Sequence, residues 1–476
     1  MPMTTTCADG LLIVDKPQGV TSFDAVAAVR AALHTKKVGH AGTLDPMATG
    51  MLVIGFGRAT RLLQYIVEHD KTYEATIRLG LATTTDDAEG DIIAAPSSDD
   101  GDISDLRSRN RNPSAKPTEG GNVLNLRSRW RELSAEPTEG GLRAVIESTI
   151  VEQFTGDIEQ VPNTFSAIKI DGQRAYDLAR AGKDVELKAR PIHIAEFTVL
   201  GVREGVASTL DAASPLIPRG KGETEPALDD GSAQSASDSR SRWRELSAEP
   251  VEGGPSAPVI DVDVRVSCSS GTYIRALARD LGAALGVGGY LTRLRRTRVG
   301  RFALSDDRSG LAQVTVLPAV ANVTLAAAAD AGDTVGTGEI MPAAMQAIAA
   351  HAEPKTFTNR DGEMVTRNRC VLDTPAGLSG EARGDWLRAR AVHLADAARG
   401  AMPVVDITAG EARELRFGRR IDRELEKGVH YAAVVMGTRG DEGDTAGAVV
   451  TPDDVVAIIE RANRTQAKPA VVFPAA

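Results

Sequence analysis

The residue around which chemistry is most readily built is Asp45, in the run Val38-Gly39-His40-Ala41-Gly42-Thr43-Leu44-Asp45-Pro46-Met47-Ala48-Thr49-Gly50-Met51-Leu52. Three glycines and a proline surround one carboxylate. Gly39 and Gly42 permit backbone angles and close approaches that a side chain forbids. Pro46 fixes its own φ and drives Asp45 out of the helical region. The spacing predicts a stiff loop with Asp45 on display, followed by an apolar strand from Met51 to Gly55. A free aspartate has a pKa of about 3.9, so the group is ionised at neutral pH unless burial raises it. An ionised carboxylate held in this way suits covalent catalysis, which splits one hard step into two easier ones.

The elements that must position such a loop can be read on either side of it. Leu11–Val14 is a short apolar strand running into Lys16-Pro17-Gln18-Gly19-Val20-Thr21-Ser22. Ser22 is the expected helix N-cap, with Asp24 in the first turn. Phe23, Val26, Val29 and Leu33 recur at helical spacing. Downstream, Tyr73, Ala75, Ile77 and Leu79 alternate with polar residues as in a half-buried strand, and Thr84–Gly90 follows as a polar turn. Ile260, Val262, Val264 and Val266 mark another strand. Ser270–Arg275 then turns into a helix whose apolar side is Ile274, Leu277, Leu281 and Leu285.

At 476 residues the chain is too long for one ordinary domain, and two or three are expected. Its three cysteines, Cys7, Cys268 and Cys370, are too few and too far apart for a disulfide framework or a Cys-x-x-Cys metal site. The histidines form no ligand pair at helical spacing, and no glycine-rich nucleotide loop is present, so no metal or cofactor is expected. The first ten residues lack the basic start and apolar core of a signal peptide, and no apolar run approaches membrane-spanning length. A cytoplasmic protein fits best. The net charge of −10 argues against a nucleic-acid partner, but its distribution matters more than its sum. Between Arg265 and Arg301 eight arginines meet one acid, Asp280, which predicts a local basic face.

Composition shifts twice. Residues of about 94–141 and 204–256 are rich in Ser, Pro, Gly and balanced charge and carry a repeat. Trp130-Arg131-Glu132-Leu133-Ser134-Ala135-Glu136-Pro137 recurs identically as Trp243–Pro250. Separated polar copies cannot bury a shared core as a solenoid does, so they read as loosely ordered insertions. Residues 310–390 read as irregular and Ala-rich.

The loop motif Gly-His-x-Gly-x-Leu-Asp-Pro-x-Ala-x-Gly-x-Leu resembles the catalytic loop of bacterial tRNA pseudouridine synthases of the TruB type. Lys-Pro-x-Gly-x-Thr-Ser at Lys16–Ser22 is similar to the first motif of the same family. Lys71-Thr72-Tyr73, Gln160–Lys169 with Gly172–Arg180, Cys268–Arg275 and Leu291–Thr297 are similar to others, so the resemblance covers about 10–93, 150–202 and 257–304. Asn163 and Phe165 depart from it, where many members carry proline and tyrosine, and are expected to tune RNA contacts.

The resemblance implies a mixed α/β (α+β) pseudouridine synthase fold. A central, largely antiparallel sheet would be flanked by helices and loops, with a small β-rich, PUA-like RNA-binding domain at the C-terminus. It implies a catalytic domain at 10–305 interrupted by the two insertions, a variable linker at 306–390, and the C-terminal domain at 391–474. The implied activity is isomerisation of uridine 55 in the tRNA T loop. Asp45 would be the nucleophile, with Tyr73 and Arg275 as its catalytic partners and Asp87 pairing with Arg275. His40 would fill the space of the flipped base, and Leu294 would wall its pocket. Lys16, Ser166, Lys169, Arg174 and Tyr273 would lie on the substrate side. The partner would be the T arm of tRNA, met by a monomer with no obligatory protein partner and no membrane. Two other readings stay open: an RNA-binding or tRNA-folding chaperone whose catalysis is dispensable, and a synthase with another RNA target, redirected by the Arg-rich insertions.

Overall fold

The computed structural model describes residues 8–93, 139–163, 169–170, 173–174, 187–208, 211–213, 217–218, 256–306, 312–316, 346–359, 362–437 and 453–475. The repeats at 106–121, 126–141 and 239–254 lie outside these residues, apart from the last three positions of the second copy, which open a helix. The architecture is mixed α/β and largely antiparallel. Two compact units divide the chain: one takes residues 1–69, 296–322 and 332–476, the other residues 70–295 and 323–331.

The first unit opens with strand β1 (Gly10–Lys16), helix α1 (Ser22–Ala32), β2 (Val38–Ala41), β3 (Thr49–Phe56) and the short helix α2 (Leu63–Val67). All eight residues of β3 are buried, as expected of a near-continuous apolar run covered on both faces. β1 runs antiparallel to it from Gly10 opposite Phe56 to Lys16 opposite Gly50, so both ends of the Asp45 loop are pinned to one ladder. The helix N-cap is Thr21, in a reciprocal capping box with Asp24, and not Ser22. Ser22 is the first helical residue because its hydroxyl is committed elsewhere, to the backbone of Leu44. Phe23 is exposed instead of packed, with the Arg30 guanidinium over its ring.

The second unit contains β4 (Lys71–Leu79), α3 (Glu139–Gln153), β5 (Gly156–Gln160), the short strands β6 (Lys169–Ile170) and β7 (Gln173–Arg174), β8 (Arg190–Ser208), β9 (Ile217–Pro218), β10 (Ser256–Cys268) and α4 (Ile274–Leu285). β10 is the shared strand, antiparallel to β4 and to β8. β8 keeps its pairing to Ser208 and β10 starts at Ser256, so the strands reach into the stretch expected to be an insertion. Just before that stretch Arg203 pairs with Asp263 across the two strands. Opposite residues Arg78 and Asp261 form a buried two-point ion pair at 2.8 and 2.9 Å, the geometry that best repays a buried charge pair.

The chain leaves the second unit within β11 (Gly289–Val299), after Arg295. Back in the first unit come β12 (Phe302–Asp306), β13 (Ala312–Val316), β14 (Ile348–Thr358), β15 (Met364–Leu372), α5 (Gly380–Arg388), β16 (Val392–His393), α6 (Leu394–Ala401), β17 (Val404–Asp406), α7 (Ala409–Arg416), β18 (Ile421–Asp422), β19 (Tyr431–Val435), β20 (Asp454–Arg461) and β21 (Gln466–Val472). The last five strands form a sheet in the order β17-β19-β20-β21-β18. One core cluster joins Leu11, Ile13, Met51 and Val53 to Phe302, Ala398, Val434, Ile458 and Phe473. The described residues of 346–390 are not irregular, as their composition implied: they form the β14–β15 hairpin and α5. Both faces of the hairpin are largely wet, so the apolar alternation that betrays a strand is missing.

Gly282 shows how α4 is seated. A Cβ there would lie 2.2 Å from the backbone of Gly288 and Gly289. Alanine is the better helix former by about 1 kcal/mol, but such a clash costs about 1–3 kcal/mol or more. Gly282→Ala is therefore expected to lower the urea-unfolding midpoint; a rise would mean that helix and strand do not pack this closely.

Candidate active site

In the first unit Asp45 is partly exposed, at the head of a turn closed by a hydrogen bond from the Ala48 amide to the Asp45 carbonyl (3.1 Å). The loop before it takes a left-handed step at Gly42 (φ 86°), and at Gly39 a Cβ would crowd the Leu63 side chain at 3.1 Å. What makes the turn stiff is the set of side chains that grip its backbone. Ser22 Oγ accepts from the Leu44 amide (2.8 Å) and donates to the Leu44 carbonyl (3.1 Å). Lys16 is wholly buried, and its Nζ donates to the carbonyls of Val20 (2.7 Å), Pro17 (2.9 Å) and Pro46 (3.3 Å). The Gly19 amide also donates to the Pro46 carbonyl, at 2.8 Å. Both neighbours of Asp45 are thus held from below.

A third grip comes from β11. Arg296 is 1% exposed and spreads its guanidinium over the carbonyls of Met51 (2.8 Å), Gly42 (3.1 Å) and Thr43 (3.5 Å). In the sequence it looks like one more member of a phosphate-binding run, and nothing in the residue types separates it from Arg295 or Arg298. Its place in the alternation of β11 is the one available signal, since Leu294 two positions earlier is apolar and faces inward. His40, in β2, is half-buried beside this loop. Burial, then the Arg296 charge, holds its imidazole below the ordinary histidine pKa, and its Nδ1 is buried without a partner. Lys16, assigned to the substrate side on resemblance, makes its observed contacts to the loop.

In the second unit the arginine and its acid are found together. Arg275 opens α4, and its guanidinium donates to Asp87 Oδ2 (3.2 Å) and to the Thr85 carbonyl (3.0 Å), all three groups being buried or nearly so. Asp87 Oδ1 in turn accepts from Thr85 Oγ1 (2.5 Å) and the Glu89 amide (3.0 Å), so the carboxylate is oriented on both oxygens. Gln160 clamps the N-cap residue Tyr273 by accepting from its amide (2.9 Å) and donating to its carbonyl (3.0 Å). Tyr73 lies in β4 opposite Val266 and is buried; Leu294 is buried in β11. Lys169 and Arg174 lie on the β6–β7 ladder, and Ser166 falls outside the described residues.

Asp86, next to Asp87, was not singled out from the sequence. It sits in the left-handed region (φ 59°), accepts from the Asn163 side-chain Nδ2 and pairs with Arg279 at 3.4 Å. Burial pushes its carboxyl up to about 6 in spite of Arg279 and Asn163. Asn163 is accordingly a buried strut and not a surface position that tunes RNA contacts. The expected basic face is also reduced. Arg265 and Arg293 reach Glu74, Arg275 reaches Asp87, and Arg279 reaches Asp86 and Asp280. Apart from Asp280, the acids that neutralise the segment come from elsewhere in the chain.

These features fit a class, and the comparisons with known proteins agree. Residues 30–111 and 134–213 match the family described as TruB family pseudouridylate synthase (N terminal domain), and with the full-length relative that follows this makes the chain a pseudouridine synthase by class. Residues 275–325 match the tRNA pseudouridylate synthase B C-terminal domain, a stretch that ends ahead of the 391–474 segment. The tRNA pseudouridine synthase B of Bifidobacterium longum (strain NCC 2705) is 53% identical over 474 residues, covering all of both chains. That of Thermobifida fusca is 41% identical over 314 residues, 65% of this chain and 77% of its own. A solved H/ACA RNP bound to a substrate RNA containing 2'-deoxyuridine aligns with TM-score 0.46 and 17% identity, over 100% of this chain and 88% of that one. The chain belongs to the TruB family of pseudouridine synthases.

Two predictions follow from this geometry. Arg296→Lys keeps the charge but offers one nitrogen where the guanidinium places three, each on a different carbonyl, and a buried carbonyl left unpaired costs about 1–3 kcal/mol; the urea midpoint should drop by at least about 2 kcal/mol equivalent, and an unchanged midpoint would remove Arg296 from the frame of the loop. For Asp86, the folded pKa of about 6 lies above its ordinary 3.8. The folded chain therefore binds a proton that the unfolded chain does not. The stability this contributes is complete below about 3.8 and is lost as pH rises through about 6. Urea titrations of wild type and Asp86→Asn between pH 4 and 7.5 should show the wild type losing stability relative to the variant as pH rises.

Proposed function

We propose that the protein isomerises uridine 55 in the T loop of tRNA to pseudouridine, with Asp45 as the nucleophile. The observation that carries this reading is the backbone grip on both sides of Asp45. Nothing in core packing requires Ser22, Lys16 and Arg296 all to hold one partly exposed turn. Relatives named tRNA pseudouridine synthase B, matched over the full length, support tRNA as the substrate.

The reaction breaks the N-glycosidic bond, turns the uracil and rejoins it through carbon. It needs a carboxylate nucleophile and no redox step. A uridine inside a folded loop is out of reach, so the base is extruded from its stack before it reacts. In this reading Tyr73 stacks on the uracil or moves its proton, and Leu294 and Tyr273 bound the base. Arg275, its orientation fixed by Asp87, supplies positive charge to the reacting centre. A neutral His40 occupies the vacated place in the loop, which its lowered pKa favours at neutral pH. Lys169 and Arg174 contact the RNA backbone, and the 391–474 segment is a PUA-like domain binding a second part of the tRNA. The enzyme works as a cytoplasmic monomer.

The test is release of tritium from an unmodified tRNA transcript labelled at uracil C5. Wild type should release label at one site per tRNA, whereas Asp45→Asn should reduce release by at least about 10⁴-fold, roughly 5 kcal/mol of barrier, while still binding tRNA. Release by the variant at near wild-type rate would exclude Asp45 as nucleophile. Binding without release by wild type would favour the chaperone reading or a different RNA.

A further inference from the structure

The β14–β15 hairpin has no task in the reaction as derived so far, and its construction is unusual. It joins the first unit through a short parallel contact with β1, Val14 opposite Ile348 and Asp15 opposite Ala349. Ile348, Cys370 and Leu372 are buried there, and beyond this root the two strands continue with mostly exposed side chains. From Ala350 to Thr358 the ribbon runs about 25–27 Å at the usual strand rise. A two-stranded ribbon with both faces wet buries little and is marginal by itself. Stability does not account for its length.

The root lies beside the Asp45 loop. Asn368 Nδ2 donates to the Gly19 carbonyl at 3.2 Å, and the Gly19 amide donates to the carbonyl of Pro46. The ribbon therefore starts one residue away from the backbone that holds the proposed nucleophile. The two faces of the ribbon differ. The face of Asn368, Cys370 and Leu372 docks on the unit, while the opposite face carries Glu353, Lys355 and Phe357 on β14 against Arg369, Arg367 and Val365 on β15. Glu353 and Arg369 neutralise each other at 2.9 Å. Lys355 stands directly opposite Arg367, both exposed, and neither makes an ion pair or side-chain hydrogen bond with a described residue. Like charges opposed across a ladder cost stability. Next to them Phe357 is 40% exposed, and Met364 near the tip is 71% exposed.

We infer that this face of the hairpin is a contact arm for the RNA substrate, in which Lys355 and Arg367 bind phosphates flanking the target loop and Phe357 packs on an exposed base or ribose. The inference rests on the tRNA reading above. Phosphates favour a pair of cations that the protein leaves unmatched, and an aromatic ring beside them offers a stacking surface tolerant of any base. RNA supplies both in alternation, which an acidic peptide does not. The ribbon length is that of several nucleotides of backbone. The arm enlarges the footprint beyond the reacting nucleotide and leaves the chemistry to the loop.

The experiment compares wild type with Lys355→Gln/Arg367→Gln and with Phe357→Ala in the full chain, using an unmodified tRNA transcript. The double variant should raise KM for tRNA several-fold, with the loss in KM and not in kcat. It should also make the plot of log binding constant against log salt shallower by about 1–2, as expected when up to two phosphate contacts vanish. Phe357→Ala should raise KM and leave the salt slope alone. Because the double variant removes a like-charge pair, its unfolding midpoint should hold or rise, which a structural role for the two cations would not allow. An unchanged KM and salt slope, or a lowered midpoint that explains the loss, overturns the proposal. If wild type binds tRNA but releases no tritium, the proposed reaction fails while the salt-slope comparison still decides the arm.

Discussion

The turn that displays Asp45 has no side-chain core of its own, so everything depends on side chains that satisfy its backbone from beneath. Lys16, Ser22 and Arg296 spend their polar groups on the carbonyls and amide of residues 42–46 and on the strand that follows. Two of the three are cations taken almost wholly out of water. Taking a cation out of water is expensive unless its donors are satisfied, as these are. The return is a loop whose conformation is fixed from both ends of one ladder, because β1 and β3 are in register and the first motif is the continuation of β1. A nucleophile gains from such fixing, since the entropy of alignment is met at folding and not at each turnover.

The second unit solves a related problem with ion pairs. Arg275 is oriented by Asp87, whose other oxygen is held by Thr85 and the Glu89 amide, and the adjoining Asp86 anchors Arg279 and Asn163. Two neighbouring acids thereby receive different environments: one takes the arginine at the start of α4, the other is buried enough to titrate near neutrality. The overall charge of −10 conceals this local pairing, and so does the eight-to-one ratio within the arginine-rich segment.

Much of this was legible in the chain. The Gly-Pro loop, the alternation of β4 and β10 and the helical spacing of Leu277, Leu281 and Leu285 all reflect burial, and burial writes a period into the sequence. The family motifs fell on loop and element ends, where special backbone geometry restricts residue choice. What stayed hidden was hidden for stated reasons. A buried lysine or arginine looks like any solvated one in the sequence, so only the fold distinguishes Lys16 and Arg296. Asn163 looked like a loop variant because its partner Asp86 is distant in sequence. Thr21 and Ser22 are both good caps, and only the competing demand of Leu44 separates them. The β14–β15 hairpin lacks a buried face beyond its root and so carries no apolar alternation to read.

The bond from Arg296 to the Met51 carbonyl joins residues 245 apart in the chain. A polypeptide emerging from the ribosome therefore makes Lys16, Ser22 and the Asp45 turn early and lacks the third support until residues 70–295 have been synthesised. At about 5–20 residues per second that interval lasts roughly 12–50 s. During it the nascent protein carries Asp45 on a turn held by two of its three side-chain supports. The loop is thus completed only by the strand that returns from the second unit, so a chain arrested before residue 296 has no fully braced turn to present.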